Sequence, residues 1–372
     1  MSNITKKSDG KYLIRVSKGT GANRTVINKT FRGKLADAKV YARELETLVD
    51  SGRSVASALT FKAYFELWIA AVTPRISPRT ADGYDGYIRR YALDALAGFR
   101  LGDIRTHHIQ AVYIDAGVGR SATTVRNLHA ALNACFAYAV RHRYIYENPC
   151  KHTDRPAKVR PEIVVMNEAE AGIFAEACRA SPHGIIFEFA LETGMRPEEY
   201  LALRWSDISG CEVSVAQAVQ FRRSGGGWYF KDIKTQKGRR RISISDRLRV
   251  RLAEHRRRQL EHRLALKVTW HDLDLVFPSL IGTPLAINNV SRRYLKQILD
   301  ACAFGKHITL YALRHTCATL LLMRGVNAKI VADRLGHSSV VMTLDTYSHV
   351  LPHIQDSATD TIAGILAAKK QG

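Results

Sequence analysis

The chain has 372 residues, with 56 lysines and arginines against 34 aspartates and glutamates and a formal net charge of +22. That length holds two or three domains with ample core, and so positive a balance points to a polyanion as partner. No apolar run is long enough to span a bilayer, the opening Met-Ser-Asn-Ile-Thr-Lys-Lys lacks the apolar stretch of a signal peptide, and the basic residues are spread over all regions, so a cytoplasmic protein is expected and a membrane-bound one is not.

Residues 11–31 hold two strand-like runs, KYLIRV and RTVINKTF, around a turn with Gly19 and Gly21, and a helix is expected from Leu35 to Val49. Lys6, Lys7, Lys11, Arg15, Lys18, Arg24, Lys29 and Arg32 stud this small unit, which suits contact with phosphate. Ser51 to Ser57 reads as a linker. From Thr60 to Tyr146 the apolar spacing is helical throughout, in about four segments that make a bundle. Ser77 with Pro78 starts the second of them and Ser121 can cap the fourth. Asn148-Pro149 closes the bundle, because the residue before proline resists helix. The basic stretch KHTDRPAKVRP, broken by Pro156 and Pro161, reads as an extended linker over residues 150–162. Asn167 and Glu170 then form a capping box, so a new domain is expected from residue 163.

That domain opens with helices up to Trp205, passes through the strand-like CEVSVAQAV, WYFKDIKT and RISIS, and resumes helix at Asp246. Near its end, Gly325 and Gly336 each stop a helix, Ser338 or Ser339 can cap a third, and Tyr347 falls at the far end of that one. Tyr311 and Arg314, three apart on one helix, are placed to meet one ligand. Helix, glycine turn, helix is also the pattern of a helix-turn-helix DNA reader. The six cysteines, Cys135, Cys150, Cys178, Cys211, Cys302 and Cys317, show no metal-binding spacing and read as reduced, mostly buried thiols.

Further features bear on chemistry. In TGMRPEEYLAL, Gly194 ends a helix and Arg196 sits on the turn into the next, with Glu199 three residues on, which suits an anionic oxygen. Lys234 lies at a hairpin tip from which it can reach into a groove.

The boxes TGMRPEEYLALRW, DIKTQKGRRRISIS, LYALRHTCATLL and LGHSSVVMTLDTYSHV, in this order and spacing, resemble those of tyrosine recombinases of the phage-integrase type. The resemblance runs over the whole chain. It implies a multidomain α+β protein with a small N-terminal sheet-plus-helix arm-type DNA-binding domain over residues 1–50 and an all-α core-binding bundle over 58–149. The linker 150–162 would lead into a mixed, mainly helical catalytic domain with an antiparallel hairpin sheet over 163–372, the two larger parts closing on the duplex like a C. Tyr347 would attack a phosphodiester and leave a 3′-phosphotyrosine and a free 5′-hydroxyl. Arg196 and Arg314 would neutralise charge on the non-bridging oxygens, Lys234 would protonate the leaving oxygen, and His337 would hydrogen-bond the phosphate. No metal or nucleotide is then needed, since the ester conserves the energy of the broken linkage.

One departure stands out. The family's second box usually opens with histidine, whereas here Tyr311 occupies that position, which leaves the acceptor of the Tyr347 proton open; His315 and His307 are near in sequence, and Glu199 is a candidate to orient arginine. Tyr311 and His349 are read as supporting groups. The partners implied are double-stranded DNA with core-type and arm-type sites, a homotetramer on DNA with the tail after Tyr347 as a docking candidate, and DNA-bending accessory proteins. A chromosome-dimer-resolving recombinase shares the active site but normally lacks the N-terminal unit, and a type IB topoisomerase would act as a monomer without it.

Overall fold

The computed structural model describes residues 2–8, 10–18, 25–51, 59–158, 163–222, 226–233, 238–266 and 270–347, with Ala363 and Leu366. The chain divides into two units, Met1–Arg160 and Pro161–Gly372.

The first unit begins with a three-stranded antiparallel sheet of β1 (Ser2–Ser8), β2 (Lys11–Lys18) and β3 (Thr25–Arg32), in that order. Alternation along β2 turns Tyr12, Ile14 and Val16 to one face, where they bury against Ala38 and Ala42 of helix α1 (Leu35–Ser51). Only two strands are expected from sequence. The third, β1, is SNITKKS, whose single large apolar residue is Ile4, so its strand character comes from pairing with β2 and not from its own pattern.

The helical part holds α2 (Phe61–Val72), α3 (Pro78–Tyr91), α4 (Leu93–Leu96), α5 (Thr106–Gly117) and α6 (Ala122–Arg141). Phe61, Tyr64, Phe65 and Trp68 lie at helical spacing and are all buried, each contributing on the order of 1.5–3 kcal/mol, and the Tyr64 hydroxyl donates to the Cys135 carbonyl at 2.9 Å. Ser77 caps α3 by accepting from Thr80 N at 3.2 Å. Ser121 precedes α6 but spends its hydroxyl on Thr124 Oγ1 at 3.2 Å, so the expected backbone cap is not made.

In the second unit α7 (Glu168–Ala180) starts on the expected capping box, Asn167 Oδ1 accepting from Glu170 N and Glu170 Oε2 from Asn167 N. Next come α8 (Gly184–Thr193) and α9 (Pro197–Tyr200). The strands β4 (Ile208–Ser209), β5 (Glu212–Val215), β6 (Gln217–Phe221), β7 (Trp228–Asp232) and β8 (Arg240–Ser243) form two sheets, β4-β5-β8 and β6-β7. The stretch CEVSVAQAV is therefore two strands. Burial alternates without a break through Val213, Val215, Gln217 and Val219, so the switch at Ala216 changes the ladder partner but not the face, and nothing in the side chains marks it.

α10 (Asp246–Ala265) follows, then α11 (Ile287–Asn289), a π-helical run Val290–Leu295, α12 (Lys296–Cys302), α13 (Leu310–Met323), α14 (Ala328–Leu335) and α15 (Val340–Tyr347). α13 packs on α8 and on α14. All six cysteines are free thiols, Cys211 alone among them being less than buried. Among the described residues no helix is long and apolar enough to cross a membrane.

Candidate active site

Helix α8 ends at Gly194, at φ +65°, where a Cβ would lie 2.8 Å from Leu335 Cδ2 and 3.1 Å from Cys317 Sγ, so glycine is required twice over. The chain thereby turns Arg196 to the start of α9, with Pro197 in the first turn. Glu199 reaches back to it: its carboxylate accepts from Arg196 N at 2.9 Å and from Arg196 Nη1 at 2.8 Å. The same carboxylate, 4 % exposed, accepts from Arg240 Nη2 at 2.8 Å and Nη1 at 3.3 Å. Burial pushes the Glu199 carboxyl up, but the Arg240 hydrogen bonds and charge, with Arg196, outweigh that and hold it below its ordinary range. One buried anion thus lies between two guanidiniums, and Arg240 is anchored further by donating from Nε to the Arg334 carbonyl at 2.6 Å.

Arg240 is the neighbour of Glu199 that motif reading misses, because it sits inside the run Arg239-Arg240-Arg241. Strand alternation was the available signal. Arg240 shares its parity with buried Ile242, whereas Arg239 and Arg241 are exposed.

Thr309 caps α13, accepting from Ala312 N at 3.1 Å, and the helix carries Arg314 inward until it is 4 % exposed. Its Nη1 donates to the Gly194 carbonyl at 2.8 Å, while Nη2 is buried with no hydrogen-bond partner among the described residues. Burial, then the like charge of Arg196, pushes the Arg314 pKa down to about 10, which leaves the guanidinium charged at neutral pH. Gly336, left-handed at φ +70°, ends α14, and a Cβ there would come within 2.9 Å of Arg240 Nη1. Its carbonyl accepts from Arg196 Nη2 at 3.4 Å. His337 follows, with Nδ1 2.7 Å from Thr343 Oγ1; burial, then Arg314 and Arg196, lowers its pKa to about 4.

Tyr347 ends α15 and is 1 % exposed, packed with Ala318, Leu322, Val331 and Leu335. Its hydroxyl lies 2.9 Å from His315 Nδ1, the two rings meeting edge to face. Burial raises the phenol to about 12 against the opposing pull of Arg314. His315 is held below its ordinary value by burial and by Arg314, so it is uncharged at neutral pH.

Arg196, Arg314, His337 and Tyr347 are thus drawn into one electrostatic neighbourhood with Glu199, Arg240 and His315. Tyr311 is different. It is 43 % exposed and donates its hydroxyl to Glu198 Oε2 at 2.7 Å, whereas Arg314 turns into the core, so the two side chains engage different groups despite their spacing. His307 is exposed on the wall of a separate cavity of about 610 Å³ with Leu299, Phe304 and Lys306. Lys234 and His349 lie outside the described residues.

The half-buried histidines set a pH dependence of stability. An unfolded histidine takes up a proton near pH 6.5, whereas folded His337 does so only near 4. The unfolded state therefore binds more protons in that window, and stability falls as pH drops from about 6.5 toward 4. His183, His255 and His315 act in the same direction, and Glu199 adds a further loss as pH falls through its lowered folded value. The melting temperature is expected to fall by several degrees between pH 7 and 4.5, with a shallower slope in His337→Gln. A flat or rising profile over that range would contradict the site as described.

Residues 165–353 match the phage integrase family, and residues 60–115 match the phage integrase N-terminal SAM-like domain. A protein named tyrosine recombinase XerC-like, from Caldanaerobacter subterraneus subsp. tengcongensis, is 30% identical over 97% of this chain and 98% of its own length. Among solved structures, the Tn1549 transposon integrase in complex with a circular intermediate DNA matches with TM-score 0.65 at 21% identity, covering 78% of this chain and 95% of that one. A lambda integrase dimer bound to a COC′ core site matches with TM-score 0.59 at 19% identity, over 93% and 94% of the two chains. Since the integrase match takes in half the chain and the full-length relative reaches 30% identity, this protein belongs to the phage integrase family and is a site-specific tyrosine recombinase, an enzyme that cuts and rejoins DNA.

Proposed function

We propose that Tyr347 is the nucleophile of a mobile-element integrase and that Arg196, Arg314 and His337 bind the phosphate it attacks. The observation that carries this reading is Arg314: a buried, charged guanidinium whose Nη2 has no acceptor among the described residues, close enough to Tyr347 to oppose the rise of its pKa. An unused buried donor costs on the order of 1–3 kcal/mol, and a non-bridging phosphate oxygen would satisfy it. Arg196 supplies the second cation, and His337, fixed through Nδ1 on Thr343, offers Nε2. Donors of this kind are worth roughly 10²–10³ in rate each.

In the forward step the Tyr347 oxygen bonds to phosphorus and the bond to the 5′-oxygen breaks. Lys234 protonates the leaving oxygen. Religation reverses the step on another 5′-hydroxyl, and neither metal nor nucleotide enters. Tyr311, engaged with Glu198, serves as a supporting group at the rim. The sheet and helix over residues 1–50 contact arm-type sites, the bundle over 58–149 contacts the core site, and four protomers assemble on two sites, with bending proteins assisting. The sheet-and-helix unit favours an integrase over a dimer-resolving recombinase, which normally lacks one.

A nicked suicide substrate tests the chemistry. A covalent adduct is expected on the peptide that contains Tyr347, formed equally well in EDTA. An adduct on any other tyrosine, or one lost with chelator, overturns the proposal.

A further inference from the structure

We infer that His315 is the catalytic base of this recombinase, its Nδ1 taking the Tyr347 hydroxyl proton as the phenol oxygen attacks the phosphate. This rests on Tyr347 being the nucleophile.

The box position where the family usually carries histidine is Tyr311, and its hydroxyl is turned to Glu198. A neutral phenol is also a poor proton acceptor near pH 7. Among the described residues, the other candidate bases near the site are engaged: Glu199 by Arg196 and Arg240, and His337 by Thr343 through Nδ1, its Nε2 being assigned to the phosphate in the proposed reading. His315 Nδ1 lies 2.9 Å from the phenol oxygen, within the distance a proton transfer requires. The rings meet at 60°, with centroids 5.8 Å apart, so Nδ1 is aimed at the hydroxyl and not at the ring face.

Charge supports the same assignment. Among the described residues, the titratable and charged groups facing His315 are Arg314, His337 and Tyr347. His337 is neutral, so Arg314 is the one full charge among them, and with burial it keeps His315 unprotonated and ready to accept. Transfer ahead of attack would be steeply uphill, because the phenol is raised and the imidazole lowered. The proton therefore moves as the oxygen–phosphorus bond forms, which acidifies the phenol, while the incoming phosphate's negative charge stabilises the imidazolium. The leaving 5′-oxygen takes its proton from Lys234 in the proposed reading. On religation His315 returns its proton to the Tyr347 oxygen, so no proton is gained or lost over the cycle.

The test is single-turnover cleavage of the nicked substrate by the full chain, with the adduct mapped in every arm. His315→Asn keeps an oxygen that can accept a hydrogen bond but cannot take the proton. It is expected to slow cleavage by about 10²–10⁴-fold with the adduct still on Tyr347. A fluorinated tyrosine of lower pKa, incorporated at Tyr347, should recover at least about tenfold of that loss in His315→Asn and little in the parent, a rescue that a packing role would not produce. A rate within about threefold of the parent, or no gain from fluorination, overturns the inference. Should His315→Asn fail to bind core DNA, the parent alone decides. With His315 as base its rate is level across neutral pH and stays so on fluorination; a profile that climbs with pH and moves toward acid with the fluorinated phenol overturns it. An adduct on another residue overturns the nucleophile assignment itself.

Discussion

Replacing Tyr347 by phenylalanine is expected to abolish covalent capture of DNA while leaving core-site binding near the parent level. The ring is buried among Ala318, Leu322, Val331 and Leu335, and phenylalanine fills the same space, so α15 should keep its seat. What is lost is one oxygen. Its removal leaves His315 Nδ1 without its partner, at a cost of about 1–3 kcal/mol in stability, which a folded unit of this size tolerates. The chemical loss is far larger, because without a nucleophile no ester forms; roughly 10⁵-fold or more is expected, as for nucleophiles in other covalent enzymes. Adduct formation on a nicked substrate and a gel-shift titration read the two effects separately. A surviving adduct would move the nucleophile elsewhere, and a parallel loss of DNA binding would mean that the hydroxyl holds the domain together.

Glu199→Ala is expected to have the largest effect on folding of any substitution at the site. The carboxylate is 4 % exposed and Arg240 about as deeply buried, at 6 %. Removing the anion leaves the Arg240 charge in the interior with only carbonyls to meet it among the described residues, and breaking a buried pair in this way costs roughly 3–5 kcal/mol. For a unit of this size that lowers the melting temperature by about 10 °C. Cleavage should fall as well, since Arg196 loses both the bond to its backbone and the one to its Nη1. Adding Arg240→Met to Glu199→Ala should restore part of the stability, because the stranded charge is gone, but not the cleavage. Calorimetry on the single and double variants checks this, and a single variant within about 1 kcal/mol of the parent would show that the pair is solvated.

Much of this arrangement could be read before any coordinate. Gly194 and Gly336 announce themselves as helix stops, and the structure has both in the left-handed region. The capping box at Asn167 and Glu170, the proline start at Ser77-Pro78 and the helical spacing of Phe61, Tyr64, Phe65 and Trp68 are local signals, each set by residues within about two turns. Where local pattern was silent, reading fell short. β1 has almost no alternation of its own, the break at Ala216 preserves it, and Ser121 bonds the Thr124 hydroxyl in place of a backbone N–H.

What the sequence determined by itself is therefore the family, the charge that suits DNA, and the boxes from which the proposed site residues come, since boxes of fixed spacing are one-dimensional objects. Only the tertiary structure decided which side chains meet. Arg314 and Tyr311 are three residues apart yet part company, while Tyr347 finds His315 across 32 positions and Glu199 finds Arg240 across 41. Spacing along one helix sets direction to within a face, but whether a face is core or rim depends on what packs against it. The Gly194 carbonyl and the α8 surface draw Arg314 inward, and Glu198 keeps Tyr311 out.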